Sequence, residues 1–170
     1  MVEVKGKIVI DRRPEEVFDF VSDEENEPLY NPQMWIAKKT TDGPIGVGTT
    51  FAAEMTGRRG VVPMTIQFTE YDRPHRLAEQ VQMKSMDLTG GLTFEPVDSG
   101  TLMRWAWNVE PHGVARFMAP VVAIMGRRSE HRIWTSLKRL LEARTVYQLP
   151  KGLRPMFRER ADQGMKAQTP

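Results

Sequence analysis

The spacing of apolar residues changes once along the chain, and this change constrains the fold more than any other feature of the sequence. Up to residue 110, apolar residues alternate with polar ones, as in the row Met103, Trp105, Trp107 and Val109. From residue 114 to residue 143 they recur about every 3.6 residues, as in an amphipathic helix. Consecutive strands followed by one long helix predict an α+β domain and not a doubly wound α/β fold.

Two short helices are predicted between the first strand and the remaining strands. Residues 2–10 alternate as a half-buried strand, after which Asp11 is expected to cap a helix that begins near Pro14. Residues 24–30 predict a second short helix or turn. About six further strands follow, with a bulge or bend at Gly90-Gly91. A sheet with one apolar face has to cover that face, and only the terminal helix is long enough to do so.

Composition and charge exclude several classes of function. The chain has no cysteine, which excludes disulfides, thiolate catalysis and cysteine-ligated metals. Its formal net charge is +2, but residues 144–170 hold six basic and two acidic side chains, so residues 1–143 are mildly acidic. An acidic body is a poor surface for nucleic acid. We predict one domain over residues 1–143 and a basic C-terminal extension over residues 144–170 that could make a weak surface contact.

The sequence shows no sign of a targeting or membrane segment. No apolar stretch approaches the roughly 20 residues needed to cross a bilayer. The first residues alternate and include the acidic Glu3, unlike a signal peptide. We therefore expect a cytoplasmic location and no transmembrane segment.

Several passages of the sequence resemble the START-like superfamily, also called SRPBCC, in its polyketide cyclase/dehydrase-type and Bet v 1-like members. The passages are residues 10–11 with 14–23, Tyr-Asn-Pro at 30–32, the glycine-rich 42–51, the hairpin 70–77, and 92–96 with 100–101. Each passage is weakly specific alone, but their order and spacing match the family from about residue 2 to residue 143. The basic extension lies outside the resemblance.

The resemblance implies the helix-grip fold. In that fold, a curved antiparallel sheet of about seven strands wraps on a long C-terminal helix, with two short helices after strand 1. It also implies an apolar cavity between sheet and helix. It does not imply one reaction, because the superfamily includes lipid carriers, hormone receptors and aromatase/cyclases.

Alternation and helical spacing predict which side chains would line such a cavity. The strand positions share the apolar face of the sheet, and the helix positions share one stripe. The predicted set is Phe51, Met55, Met64, Phe68, Met83, Phe94, Met103, Trp105, Trp107, Phe117, Val121 and Ile124. A tightly packed core would show the same pattern, so the sequence leaves both interpretations open.

Three residues are candidates for moving a proton. Glu79 shares a face with Leu77 and Val81, where a carboxylate is costly unless it is paired or protonated. His112 joins the last strand to the helix, at the mouth of the expected cavity, and Tyr30 could donate a hydrogen bond inside it. Each also has a purely structural interpretation. The histidines lack metal-ligand or triad spacing, so we predict no metal site and no cofactor.

Three functions remain open from the sequence. The first is binding of an apolar or aromatic small molecule, such as a lipid or polyketide, for transport, sequestration or sensing. The second is a polyketide cyclase/dehydratase-type enzyme that uses the same cavity. The third is a protein-interaction module of the START-like class. The sequence does not identify the ligand or the oligomeric state.

Overall fold

The computed structural model describes residues 1–57, 60–113 and 119–143, without the side chains of residues 119–125 and 127. The chain forms β1 (Val2–Ile10), α1 (Pro14–Val21), a 3₁₀ helix (Glu24–Leu29), β2 (Met34–Lys39), β3 (Thr50–Gly57), β4 (Gly60–Asp72), β5 (Arg76–Met83), β6 (Met86–Val97), β7 (Gly100–Pro111) and α2 (Ala119–Ala143). The predicted basic extension, residues 144–170, lies outside the described residues. No described helix is long and apolar enough to cross a membrane.

The seven strands form one antiparallel sheet in the order β1-β7-β6-β5-β4-β3-β2. Each strand from β2 to β7 pairs with its neighbour in sequence, and β1 pairs with β7 at the far edge. The predicted α+β helix-grip fold, with two short helices after strand 1 and a long C-terminal helix, is confirmed. Trp105 and Trp107 lie on the inner face, and Arg104 and Asn108 lie outside, as alternation predicts.

Two local predictions differ from the structure. The N-cap of α1 is Arg13, not Asp11, and the backbone N–H of Asp11 instead donates to Glu142 Oε1 of α2 at 2.8 Å. Gly90 and Gly91 pair on both sides without a shift in register, so they form no bulge. Glycine is needed at Gly90 because a Cβ there would lie 2.0 Å from the carbonyl oxygen of Ala106.

The inner face of the sheet has a densely packed end and a more accessible end. At the packed end, the Phe18 ring of α1 makes edge-to-face contacts with Tyr71 at 5.1 Å and Phe94 at 5.4 Å. At the other end, beyond Val81 of β5, the inward apolar side chains keep part of their surface accessible. These half-buried residues are Met55, Met83, Met86 and Leu88.

Helix α2 packs closely on β1 along the open edge of the fold. A Cβ at Gly126 would lie 3.2 Å from Val4 Cγ2, which is closer than an ordinary contact. The absence of a side chain at Gly126 therefore lets the helix lie this close to β1. Toward its C-terminus, Leu137 is fully buried, and the Lys138 ammonium donates to the Val9 carbonyl at 2.7 Å. These contacts fix the second half of the helix over the sheet.

We expect Gly6→Ala to destabilise the protein. Gly6 pairs with Trp105 across β1 and β7, and a Cβ there would lie 2.3 Å from the indole ring. The ring would have to move within a packed interior, which costs about 1–3 kcal/mol of unfolding free energy. Urea denaturation followed by circular dichroism would measure the loss. Gly46→Ala is the matched control, because no heavy atom lies within 4 Å of its Cβ position; equal effects at both positions would contradict the prediction.

Candidate functional site

Four glutamate carboxyl groups from three separate elements meet between the sheet and α2. Glu24 and Glu27 come from the 3₁₀ helix, Glu79 from β5 and Glu130 from α2. The Glu24 carboxyl is within hydrogen-bonding range of Glu27 and Glu79, and Glu130 acts electrostatically on Glu79. We call these four residues the carboxyl cluster.

The 3₁₀ helix places two of these carboxyls by local hydrogen bonds. The Asp23 side chain caps the helix by accepting from the backbone N–H of Glu25 at 3.2 Å. After the helix, the buried Asn31 donates from Nδ2 to Glu27 Oε1 at 2.7 Å and accepts from the Gln33 backbone at 3.0 Å. Asn31 therefore orients one carboxyl group of the cluster.

Glu79 points inward because β5 alternates regularly. Its flanking inward neighbours Leu77 and Val81 are both buried. The opposite strand β4 has a bulge between Phe68 and Glu70, which places Glu70 on the outer side, where its carboxylate lies 2.6 Å from the Arg76 guanidinium. The bulge thus separates two carboxylates that simple alternation would have placed on the same face.

Glu130 accepts two indole hydrogen bonds. Trp107 Nε1 of β7 donates to Glu130 Oε2 at 3.0 Å, and Trp134 Nε1, one turn further along α2, donates to the same oxygen at 2.8 Å. The carboxyl group therefore links α2 to β7, the strand next to the edge strand β1.

Aromatic rings form a wall beside the carboxyl cluster. The Trp134 ring stacks on Tyr30 with a centroid distance of 6.0 Å and lies at the same distance from Trp105. Trp105 is only 4% exposed, and its Nε1 has no hydrogen-bond partner among the described residues. A buried donor without an acceptor costs about 1–3 kcal/mol, so this N–H is unsatisfied within the described part of the chain.

Burial and mutual repulsion keep protons on the cluster. Burial, followed by the neighbouring Glu79 and Glu27 carboxyls, raises the pKa of Glu24 well above its usual range. Burial, with a contribution from the Glu27 charge, raises the pKa of Glu79 to about 8. At neutral pH part of the cluster is therefore protonated.

The pKa values of Glu27, Glu130 and Tyr30 are also raised. Burial raises the pKa of Glu27, partly offset by the hydrogen bonds from Asn31 and Glu24. Burial also raises the pKa of Glu130, partly offset by the two indole hydrogen bonds. Burial and the surrounding glutamate charges raise the pKa of Tyr30 well above its usual range, so its hydroxyl is a donor and not a phenolate.

The described basic side chains do not neutralise the cluster. The ion pairs among the described residues all lie elsewhere, and none includes Glu24, Glu27, Glu79 or Glu130. The described part of the chain also has no group of three histidine, aspartate or glutamate side chains arranged to hold a metal ion. The chemistry that the arrangement offers is therefore proton donation, hydrogen bonding and attraction of positive charge.

The structure brings together two of the three predicted proton-transfer candidates. Glu79 belongs to the carboxyl cluster, and Tyr30 is buried next to it. His112 lies elsewhere: it is exposed after the end of β7, with Nε2 3.3 Å from Asp87 Oδ2. His112 therefore does not share a site with Glu79 and Tyr30.

The residues predicted to line a cavity fall into three groups. Seven lie buried on the inner face: Phe51, Met64, Phe68, Phe94, Met103, Trp105 and Trp107. Met55 and Met83 are half-buried at the accessible end. Phe117 and the side chains of Val121 and Ile124 lie outside the described residues.

Sequence reasoning missed most of the carboxyl cluster. Glu24 and Glu27 lie in a 3₁₀ helix, where no alternation shows which side chains face inward. Glu130 did carry a signal, because it precedes Ile133, Trp134 and Leu137 at helical spacing and so lies on the apolar stripe of α2. A carboxylate on such a stripe is a candidate for a buried functional group.

A family profile described as "Polyketide cyclase / dehydrase and lipid transport" matches residues 1–142. The sequence has no significant match among curated proteins. Solved structures match over most of the chain, but each of those described below is less than 25% identical, so they support the fold alone.

Three of these structures come from bacteria. A protein of Thermus thermophilus has a TM-score of 0.72 at 17% identity and covers 84% of this chain and 99% of its own. A START superfamily protein of Mycobacterium smegmatis has a TM-score of 0.71 at 15% identity, covering 84% and 99%. The Zhui aromatase/cyclase of a Streptomyces species has a TM-score of 0.72 at 10% identity, covering 85% and 95%.

Proposed function

Because this chain belongs to the polyketide cyclase / dehydrase and lipid transport family, we propose that it binds a small, mostly apolar molecule between the sheet and α2. The apolar part of the ligand contacts the half-buried side chains at the accessible end of the sheet. Its polar group contacts the carboxyl cluster. Burial of apolar surface supplies most of the affinity, and the carboxyl groups fix the orientation.

The carboxyl cluster is the observation that carries this proposal. Glu24 is only 5% exposed, whereas Glu27, Glu79 and Glu130 each keep accessible surface although burial raises the pKa of all three. Side chains that are surrounded by protein and still accessible are expected along an internal binding space. A core without a ligand would be at least as stable with apolar residues at these positions.

A neutral naphthalene dye whose emission increases in apolar surroundings provides the direct test. We expect saturable binding to the purified protein, and loss of at least about tenfold in affinity for Met83→Trp, which fills the accessible end. Gln82→Trp is the matched control, because Gln82 is the exposed neighbour on the same strand. Thermal melting would verify that both variants fold.

Absence of saturable binding, or an equal effect of both substitutions, would contradict the proposed site. Native mass spectrometry of freshly purified protein adds an independent measurement. Under this proposal it detects a co-purified apolar molecule, and Met83→Trp reduces its occupancy relative to Gln82→Trp.

One observation favours a second function, acid–base catalysis of the cyclase/dehydratase type. The pKa of Glu79 lies at about 8, where a carboxyl group can donate a proton at neutral pH and regain it afterwards. Tyr30 supplies a neighbouring hydroxyl donor. Mass spectrometry of the ligand separates a carrier from a dehydratase: a carrier releases its ligand with unchanged mass, whereas a dehydratase releases it without one molecule of water. Cyclisation without loss of water leaves the mass unchanged and would be detected by a change in chromatographic retention.

A further inference from the structure

We propose that the outer face of the sheet is a contact surface for a second copy of this chain, which docks on it about a two-fold axis. This face lies on the side of the sheet opposite α2 and the carboxyl cluster, so docking there leaves the proposed binding site accessible in both copies. Three features of the face support a second copy as the partner: a depression lined by small residues, a row of larger side chains beside it, and opposite charges on either side of these two rows.

A depression of about 510 Å³ lies on the outer face over β5, β6 and β7. Its floor is a row of three small residues that pair in register, which we call the low row: Ala78, Gly91 and Ala106. Beside it, toward the β5–β6 hairpin, lies a row of larger uncharged side chains, which we call the high row: Gln80, Thr89 and Asn108. The two rows follow each other along every one of the three strands, about 6.8 Å apart.

A two-fold axis makes the low row and the high row complementary. The axis lies between the two copies, perpendicular to the strands, and crosses β6 between Thr89 and Gly91. Each strand then lies over the same strand of the second copy, so Thr89 faces Gly91 of the second copy. Asn108 faces Ala106 in the same way, and symmetry provides the reverse contacts. Sheets that pack face to face keep their strands within about 30° of each other, which allows this arrangement near the axis.

The same axis brings opposite charges together. The acidic Asp87 and Glu110 lie next to the high row, and the basic Arg76 and Arg104 lie next to the low row. The axis therefore places Glu110 over Arg104 of the second copy, and the reverse. Glu110 is exposed and forms no ion pair among the described residues. Arg104 is also exposed, and its one described ion pair, with Glu95, is long at 3.4 Å. Two equivalent ion pairs between the copies follow from this geometry.

The size of the face indicates a weak dimer. Strand β1 adds to the contact, because the axis places Glu3 over Lys5 of the second copy. Four strands about 4.8 Å apart and four rows about 6.8 Å apart cover roughly 500 Å² per copy. The total of about 1,000 Å² is at the lower limit of specific interfaces, so we expect a dissociation constant on the order of 10–100 µM. Well below this concentration, as in denaturation experiments, the protein is then a monomer.

Sedimentation velocity of the full chain between about 5 and about 500 µM would test the dimer. We expect the mean mass to rise from that of a monomer toward that of a dimer and no further, because a two-fold contact closes. Arg104→Glu and Glu110→Arg each place like charges opposite one another and should weaken association at least about tenfold. A chain with both substitutions restores opposite charges and should associate within about threefold of the original protein.

Lys38→Glu is the matched control for charge, because it changes the net charge as much as Arg104→Glu does. Lys38 is exposed on the edge strand β2, outside the contact, so association should be unchanged. Ala106→Trp tests the shape of the face without a change in charge. It fills the low row where Asn108 of the second copy would lie, and it should weaken association at least about tenfold. Thermal melting at low protein concentration would verify that all variants fold.

A monomer at every concentration would overturn the proposal, as would oligomers larger than a dimer. A dimer that Arg104→Glu, Glu110→Arg and Ala106→Trp leave intact would also overturn it, because the contact would then lie on another surface. The same holds for a double variant that associates as weakly as the single ones. Dye binding is a separate measurement: if the dimer forms as expected and the neutral dye does not bind, the outer-face contact stands and the proposed function falls.

Discussion

Raising the pH from about 5 to about 9 should steadily lower the stability of the folded protein. The pKa of Glu79 is about 8 in the folded chain, against about 4.3 for glutamate in an unfolded chain. Between these values the unfolded state is deprotonated while the folded state is not, so the free energy of the unfolded state falls relative to that of the folded state as the pH rises. Each such carboxyl lowers the unfolding free energy by up to about 1.4 kcal/mol per pH unit.

Substitution of Glu79 by Gln should reverse this effect at high pH. Glutamine keeps the size and one acceptor oxygen but has no proton to lose. At about pH 5 we expect a loss of about 1 kcal/mol from the altered hydrogen bonding. At about pH 9 we expect the variant to be more stable than the original protein by on the order of 2–3 kcal/mol.

Urea denaturation across this pH range would measure both effects. The slope of unfolding free energy against pH should be smaller for Glu79→Gln than for the original protein, and unchanged for the exposed-site control Glu110→Gln. A parallel curve for Glu79→Gln would show that this carboxyl is ionised in the folded state and would remove the basis for a protonated cluster.

Truncation of Leu137 to alanine should destabilise the protein by about 2–5 kcal/mol, because it removes a fully buried side chain that holds α2 on the sheet. At about 2–4 °C per kcal/mol for a chain of this size, the melting temperature should fall by on the order of 10 °C. The surface contacts of this part of the helix, such as the Lys138–Glu142 ion pair, stabilise it far less.

Arg139→Ala is the matched control for this substitution, since Arg139 is exposed on the same turn of α2. Its expected effect lies within about 0.5 kcal/mol. Differential scanning calorimetry of both variants would test the prediction. A similar melting temperature for Leu137→Ala and Arg139→Ala would show that this part of the helix is not held by its buried side.

The three proton-transfer candidates differ in how far the sequence alone could place them. Glu79 could be identified because β5 alternates regularly and its neighbours Leu77 and Val81 are apolar. Tyr30 was a candidate only as a hydrogen-bond donor inside the expected cavity. His112 was placed by its position between the last strand and the helix, and the structure shows that this position is exposed.

The sequence by itself determined the architecture of this protein. Apolar residues at every second position define the strands, and apolar residues about every 3.6 positions define the helix. Because each strand has one apolar face, that face is the one the helix has to cover. The tertiary structure alone decided which polar groups meet. Glu24, Glu27, Glu79 and Glu130 are up to 106 positions apart in the chain. Their meeting depends on strand register and on where the 3₁₀ helix and α2 lie against the sheet, and no local pattern encodes these long-range placements.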